Sequence, residues 1–214
     1  MSPNTTQAQD LPKDGLIVDG ILPHIPKLFQ PLQIRGLEIS NRIVVSPMGM
    51  YSAQDGHVGD FHLMHLGNFA FRGAALTIME VTAVLPNGRS SPVDAGLWDD
   101  SHIEGVKKVV DYVHGLEGGG KKIGIQLGHA GRKGSMLPIY PGQQVRIASD
   151  EEGGWQDEVW GASAIPFLPN YVTPKAMSQT EIDTVVTAFA DAAYRAVQAG
   201  FGQCSDIPSH LGDD

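Results

Sequence analysis

The sequence predicts an α/β fold built around a parallel sheet, and three observations lead to this prediction. Short β-branched apolar runs, typical of buried strands, are centred near residues 44, 78 and 125. Segments with apolar residues at helical spacing follow these runs. The chain of 214 residues has 26 glycines and 14 prolines, which indicates many tight loops. Strands that alternate with helices favour crossover connections, and hence parallel strands.

The first elements follow a polar N-terminal segment. Residues 1–26 are interrupted by four prolines, and we expect them to form a mobile leader. Residues 28–39 predict a small capping hairpin that turns at Arg35 and Gly36. Residues 42–46 predict a strand buried on both faces, which Pro47 ends. A helix over 61–71 and a strand over 76–81 are expected next.

The second half repeats the alternation. Ser101 and Glu104 have the spacing of a capping box, which predicts the start of a helix that the glycines at 118–120 end. Residues 122–127 predict the third strand, and a long loop follows from 128 to 175. Ser178 and Glu181 form a second candidate capping box before the last helix, which Gly200 closes.

Composition excludes several classes of function. The net charge is 15 − 24 = −9, and an acidic chain without a basic block is a poor candidate for binding nucleic acid. No apolar run reaches the ~18 residues of a membrane span, and the N-terminus does not resemble a secretory signal. The single cysteine, Cys204, excludes an internal disulfide and any multi-cysteine metal site, so we expect a cytoplasmic location.

The nucleotide-binding motifs of open sheets are also missing. Neither G-x-G-x-x-G after the first strand nor G-x-x-x-x-G-K-[ST] occurs, which leaves a (β/α) barrel or an irregular open sheet. In a barrel, the catalytic and binding residues lie at the C-terminal ends of the strands. Gln126 ends the third strand, and its amide could read the edge of a ring such as the pyrimidine side of a flavin. An equally weighted alternative is that Gln126 only ties strand to loop.

Other polar residues have structural interpretations beside the functional ones. His129, Arg132 and Lys133 could hold an anion or a carbonyl oxygen, although a solvated loop is the simpler interpretation. Glu80 could be a general base, but a structural pairing with a basic group is favoured. The spacing of His62 and His65 allows a metal site, but core or capping histidines are favoured, and we expect no metal.

Several motifs together resemble one known family. Residues 41–48, 50–52, 123–133 and 163–166, together with Trp98, are similar to the thermophilic-like branch of the Old Yellow Enzyme family, in its fungal form. The resemblance runs from about residue 28 to 201. We therefore expect residues 27–201 to be the N-terminal half of a TIM (β/α)8 barrel, truncated to about its first three to four βα units.

The resemblance implies an FMN-dependent oxidoreductase that takes hydride from NADPH or NADH and reduces activated C=C bonds of α,β-unsaturated, enone-like substrates. It assigns Tyr51 to the substrate side. It implies the following flavin-binding residues: Ser46, Pro47, Met48, Gly49, Val81 and Gln126. Two of these depart from the family pattern, since cysteine is usual at Gly49 and alanine is common at Val81.

Residues 202–214 form a tail that does not match the family. The family's fourth strand ends in a pair of substrate-anchoring histidines, whereas this tail has only His210. The later flavin arginine and phosphate loops are also not found. We therefore expect impaired activity, and the alternative is a non-catalytic fragment, mis-spliced or from a pseudogene. Such a fragment would be unstable, form a homo-oligomer or associate with a full-length relative.

Overall fold

A three-stranded parallel sheet is the centre of the fold. The computed structural model describes residues 25–116, 118–140, 142 and 144–201. The strands, in spatial order, are β3 (Val44–Val45), β4 (Leu76–Ala83) and β5 (Lys122–Gly128). This order confirms the predicted alternating parallel arrangement. The expected leader, apart from its last two residues, and the tail of residues 202–214 lie outside the described residues.

The predicted hairpin precedes the sheet. Strands β1 (Leu32–Ile34) and β2 (Leu37–Ile39) pair antiparallel, and Arg35 in the turn has a φ of 51°. Leu37 and Ile39 are buried against the start of β4. The hairpin therefore covers the N-terminal end of the sheet, as an apolar cap.

In the described part of the chain, three α-helices accompany the sheet, namely α1 (Asp60–Phe71), α2 (Ile103–His114) and α3 (Gln179–Gln198). Small apolar side chains from α2 and α3 fill the core: Val106, Val109, Val110, Val113, Ala188, Ala192 and Ala196. Between β5 and α3, the loop contains a short parallel pair, β6 (Trp160–Gly161) and β7 (Lys175–Ala176). None of the helices among the described residues combines the length and hydropathy needed to cross a membrane.

One predicted helix start is confirmed and the other is wrong. At α3, Glu181 donates its backbone N–H to Ser178 Oγ, and Ser178 donates its own to the Glu181 carboxylate at 2.7 Å. Ser101 does not cap α2, because its N–H donates to Asp99 Oδ1 at 2.9 Å. Asp99 instead caps a 3-10 turn that leads into the helix. α2 ends at His114, before the glycines at 118–120.

The first strand of the sheet is shorter and more exposed than expected. β3 has only two residues, and Ile43 and Val44 are 37% and 45% exposed. The prediction of a strand buried on both faces is therefore wrong. Within the described part of the chain β3 pairs only with β4, so its second edge has no neighbour to bury it.

Candidate functional site

The C-terminal ends of β4 and β5 border a cavity of about 230 Å³. Its lining includes Val81 from β4, Gln126 from β5 and His129 from the loop that follows β5. Val81 lies opposite Gln126 in the sheet register, just after an irregularity in the pairing. The structure thus brings together two of the predicted flavin-binding residues at one place.

Val81 fits this position because Gly128 has no side chain. A Cβ atom at Gly128 would lie 2.5 Å from Cγ2 of Val81, well inside van der Waals contact. One methyl group of the larger residue at position 81 is therefore accommodated against the neighbouring strand. The absence of a side chain at Gly128 leaves the space that Val81 occupies. The sequence did not indicate this pairing, because the two residues are far apart in the chain.

The segment after β3 carries the other predicted flavin residues. Ser46, Met48 and Gly49 are exposed, and Pro47 is half-buried. Around Gly49 there is room, since an added Cβ atom would approach only Oε2 of Glu80, at 3.9 Å.

Glu80 fastens this segment to the sheet. Its carboxylate is buried and accepts the backbone N–H of Met50 through Oε2. Oε1 lies 2.8 Å from Nε2 of His62 on α1. Because Nδ1 of His62 accepts the N–H of Gly59, the ring proton is on Nε2, the nitrogen that lies beside the Glu80 carboxylate. The preferred structural interpretation of both residues is confirmed.

The histidines do not indicate a metal site. His62 contacts the Glu80 carboxylate through Nε2 and accepts the N–H of Gly59 through Nδ1. His65 packs between the rings of Phe61 and Phe69. Among the described residues, no group of three potential ligand side chains is close enough to hold a metal ion.

The basic cluster after β5 is divided. His129 lines the cavity, and its Nδ1 accepts the N–H of Gly131 at 3.1 Å. Burial lowers the pKa of His129. Arg132 and Lys133 instead lie over the ring of Phe167, at 5.7 and 4.4 Å. The three side chains therefore do not form a joint anion site.

Tyr51 has a constrained backbone. Its φ is 53°, a left-handed conformation that costs free energy in a residue other than glycine. The half-buried ring packs edge-on against Tyr140, with centroids 6.1 Å apart. Strain of this kind is common near functional sites, but it identifies no ligand by itself.

Arg89 braces the loop after β4, and sequence reasoning missed it. Its guanidinium lies between the rings of Trp98 and Trp155, 5.2 and 4.9 Å from their centroids. It also donates to the carbonyl oxygens of Pro86 and Pro92. Burial lowers the pKa of Arg89. The two rings come from distant parts of the chain, so no local pattern could have indicated this arrangement.

Comparison with known proteins places these features in a family. A family model described as the NADH:flavin oxidoreductase / NADH oxidase family matches residues 27–204. An NADH:flavin oxidoreductase of Gibberella zeae is 40% identical over 201 residues, which are 94% of this chain and 46% of the relative. An NADPH dehydrogenase of Bacillus cytotoxicus is 40% identical over 179 residues, 82% of this chain and 45% of the relative. The chain spans about half the length of these curated relatives.

Solved structures agree with this assignment. The old yellow enzyme from Trypanosoma cruzi matches 82% of this chain and 49% of its own, with a TM-score of 0.63 and 30% identity. Morphinone reductase in complex with tetrahydroNAD matches 83% of this chain and 48% of its own, with a TM-score of 0.63 and 28% identity. The expected architecture, the first βα units of a TIM barrel, is confirmed. The chain belongs to the NADH:flavin oxidoreductase / NADH oxidase family.

Proposed function

We propose that this chain supplies the pyrimidine side of an FMN site in an oxidoreductase that uses NADPH or NADH to reduce activated C=C bonds. The observation that carries the proposal is the cavity at the ends of β4 and β5, beside the exposed side chain of Gln126. An amide there can donate and accept at once, which matches the alternating edge of a flavin.

The residues present fit such a ring. Gly49 leaves open space beside the exposed segment of residues 46–49, and Gly128 accommodates Val81. In this proposal Ser46, Pro47, Met48 and Gly49 flank the ring, and Val81 and Gln126 contact its pyrimidine side.

The chain's own residues position the segment that flanks the ring and contact the substrate. Glu80 fixes the backbone of the flanking segment through Met50, and Tyr51 faces an α,β-unsaturated substrate. FMN, when bound, supplies hydride transfer between a nicotinamide and a polarised C=C bond. Donors at the pyrimidine side, such as the Gln126 amide, stabilise the negative charge that a reduced ring carries there.

A second candidate is a non-catalytic half barrel that associates with a second copy or with a longer relative. The exposed side chains of Ile43 and Val44 favour it, because an uncovered apolar strand edge promotes association. The cytoplasmic location expected from the composition stays a prediction.

The visible spectrum of residues 1–214, purified and mixed with FMN, tests the proposal. We expect a retained band near ~450 nm that NADPH or NADH bleaches. The variant Gln126→Leu should retain less FMN, whereas Gln156→Leu, outside the cavity, should retain as much as the parent chain. A chain that stays colourless while a full-length relative is coloured would contradict the proposal and favour the second candidate.

A further inference from the structure

A second cavity, of about 410 Å³, lies between the residues that follow β4 and one face of α3. It shares no lining residue with the cavity at the ends of β4 and β5. Its volume falls within the range of small-molecule sites, about 300–1,000 Å³. The second cavity is therefore a separate candidate binding site, which the proposed function does not use.

Part of its lining is apolar. Val84, Leu85 and Trp98 line the second cavity, together with Ala188 of α3. Val84 and Ala188 are buried, and Leu85 and Trp98 are half-buried. A ligand with an apolar body gains free energy here, because binding removes that body and the exposed parts of the wall from water.

Most hydrogen-bond donors of α3 in this cavity are already used. The hydroxyls of Thr184 and Thr187 each donate to a helix carbonyl oxygen one turn earlier, at 2.9 Å. Arg195 donates through Nε to Oδ1 of Asp100 at 2.7 Å and through Nη1 to the carbonyl oxygen of Leu97 at 3.4 Å. The lining therefore favours a ligand that brings donors over one that brings acceptors.

Two carboxylates complete this lining, namely Asp183 and Asp191 of α3. Neither forms an ion pair with a residue in the described part of the chain. Asp183 accepts the amide N–H of Gln179 at 2.8 Å, which leaves its negative charge unpaired. Their Cα atoms are about 12 Å apart along the helix, since each residue rises about 1.5 Å. The second cavity thus offers an uncompensated negative charge near each end of an apolar stretch.

We propose that the second cavity binds a linear diammonium ion with an apolar chain between its two charges. One ammonium group pairs with Asp183 and the other with Asp191, and the chain lies against Ala188 and Val84. An extended octamethylene chain suits the separation of the two carboxylates, whereas a tetramethylene chain is too short to reach both. This binding depends on neither FMN nor the proposed function.

An NMR titration of the ¹⁵N-labelled chain with octamethylenediamine tests the proposal. We expect amide shifts in residues 180–195. The Kd should be about fivefold lower than for putrescine, which has a tetramethylene chain, and for octylamine, which has one charge; this factor is the effect of one exposed ion pair. Asp183→Asn and Asp191→Asn should each raise the Kd by the same factor. Asp157→Asn, at an exposed carboxylate outside the cavity, should leave it unchanged.

The controls separate a site from general attraction to an acidic chain, whose net charge is −9. Equal affinities for the three amines, or an unchanged Kd in both aspartate variants, would show that the diamine only follows the net charge, and would refute the site. Shifts confined to other segments, or no binding at all, would refute it too. The comparison of the three amines uses the parent chain, so it decides the matter even if a variant does not fold.

Discussion

Two neighbouring residues of β4 show how differently the two sides of the sheet are buried. Met79 is fully buried in the core with the valines of α2, whereas Ile78 is only half-buried. The helix-covered side is a closed apolar core that needs no ligand to explain it. The other side of the sheet and the strand ends hold exposed apolar side chains, among them Ile43 and Val44, which no element in the described part of the chain covers.

Glu80 connects these two regions, and its loss should have the largest effect. Glu80→Ala leaves the N–H of Met50 without its acceptor and removes the carboxylate beside Nε2 of His62, which we expect to cost about 4 kcal/mol at 1–3 kcal/mol for each of the two buried groups. Urea unfolding monitored by circular dichroism measures this cost. Glu80→Gln keeps an acceptor oxygen and should lose clearly less; equal losses would mean that the carboxylate does not link the regions.

Shortening one side chain on each side of the sheet tests whether the two sides are packed differently. Met79→Ala should cost about 3 kcal/mol, as for a fully buried side chain, and Ile78→Ala about 1 kcal/mol. The same unfolding experiment compares the matched pair. Similar costs for the two variants would show that the inner side of the sheet is packed as tightly as the core.

A smaller effect is expected at the start of α3, far from the open side. Ser178→Ala removes the oxygen that accepts the Glu181 N–H and should cost about 1 kcal/mol. FMN affinity should not change, which fluorescence titration can check. A loss of affinity would mean that the helix start and the strand ends are coupled.

The smallest expected effect is a pH dependence. Burial lowers the pKa values of His65 and His129 below the ordinary value of 6.5. As the pH falls below that value the unfolded chain binds protons that the folded protein does not, so stability should decrease from about pH 7.5 to about pH 5.5. Urea midpoints at the two values measure the decrease. His65→Gln and His129→Gln should each flatten it; an unchanged slope in both would refute this assignment.

Local rules predicted the regular elements better than the contacts between them. The Ser178 and Glu181 pair worked because both partners of the cap lie within one turn. At α2 the same rule failed, because Asp99 offers a carboxylate two residues before Ser101 and accepts its N–H.

The candidate site was predicted only where strand ends alone define it. Val81 and Gln126 meet because parallel strands end at one edge. By contrast, the partner of Glu80 and the stacking of Arg89 on Trp155 depend on packing between segments far apart in the chain, which the pattern of a single sequence does not encode.

Hydrogen exchange with and without FMN tests the central claim that the strand ends bind and the helix-covered side only supports them. We predict that FMN slows amide exchange in residues 46–51 and 126–131, while α2 and the covered core stay unchanged. Slower exchange confined to the helices, or no change in either segment when FMN is bound, would contradict the account.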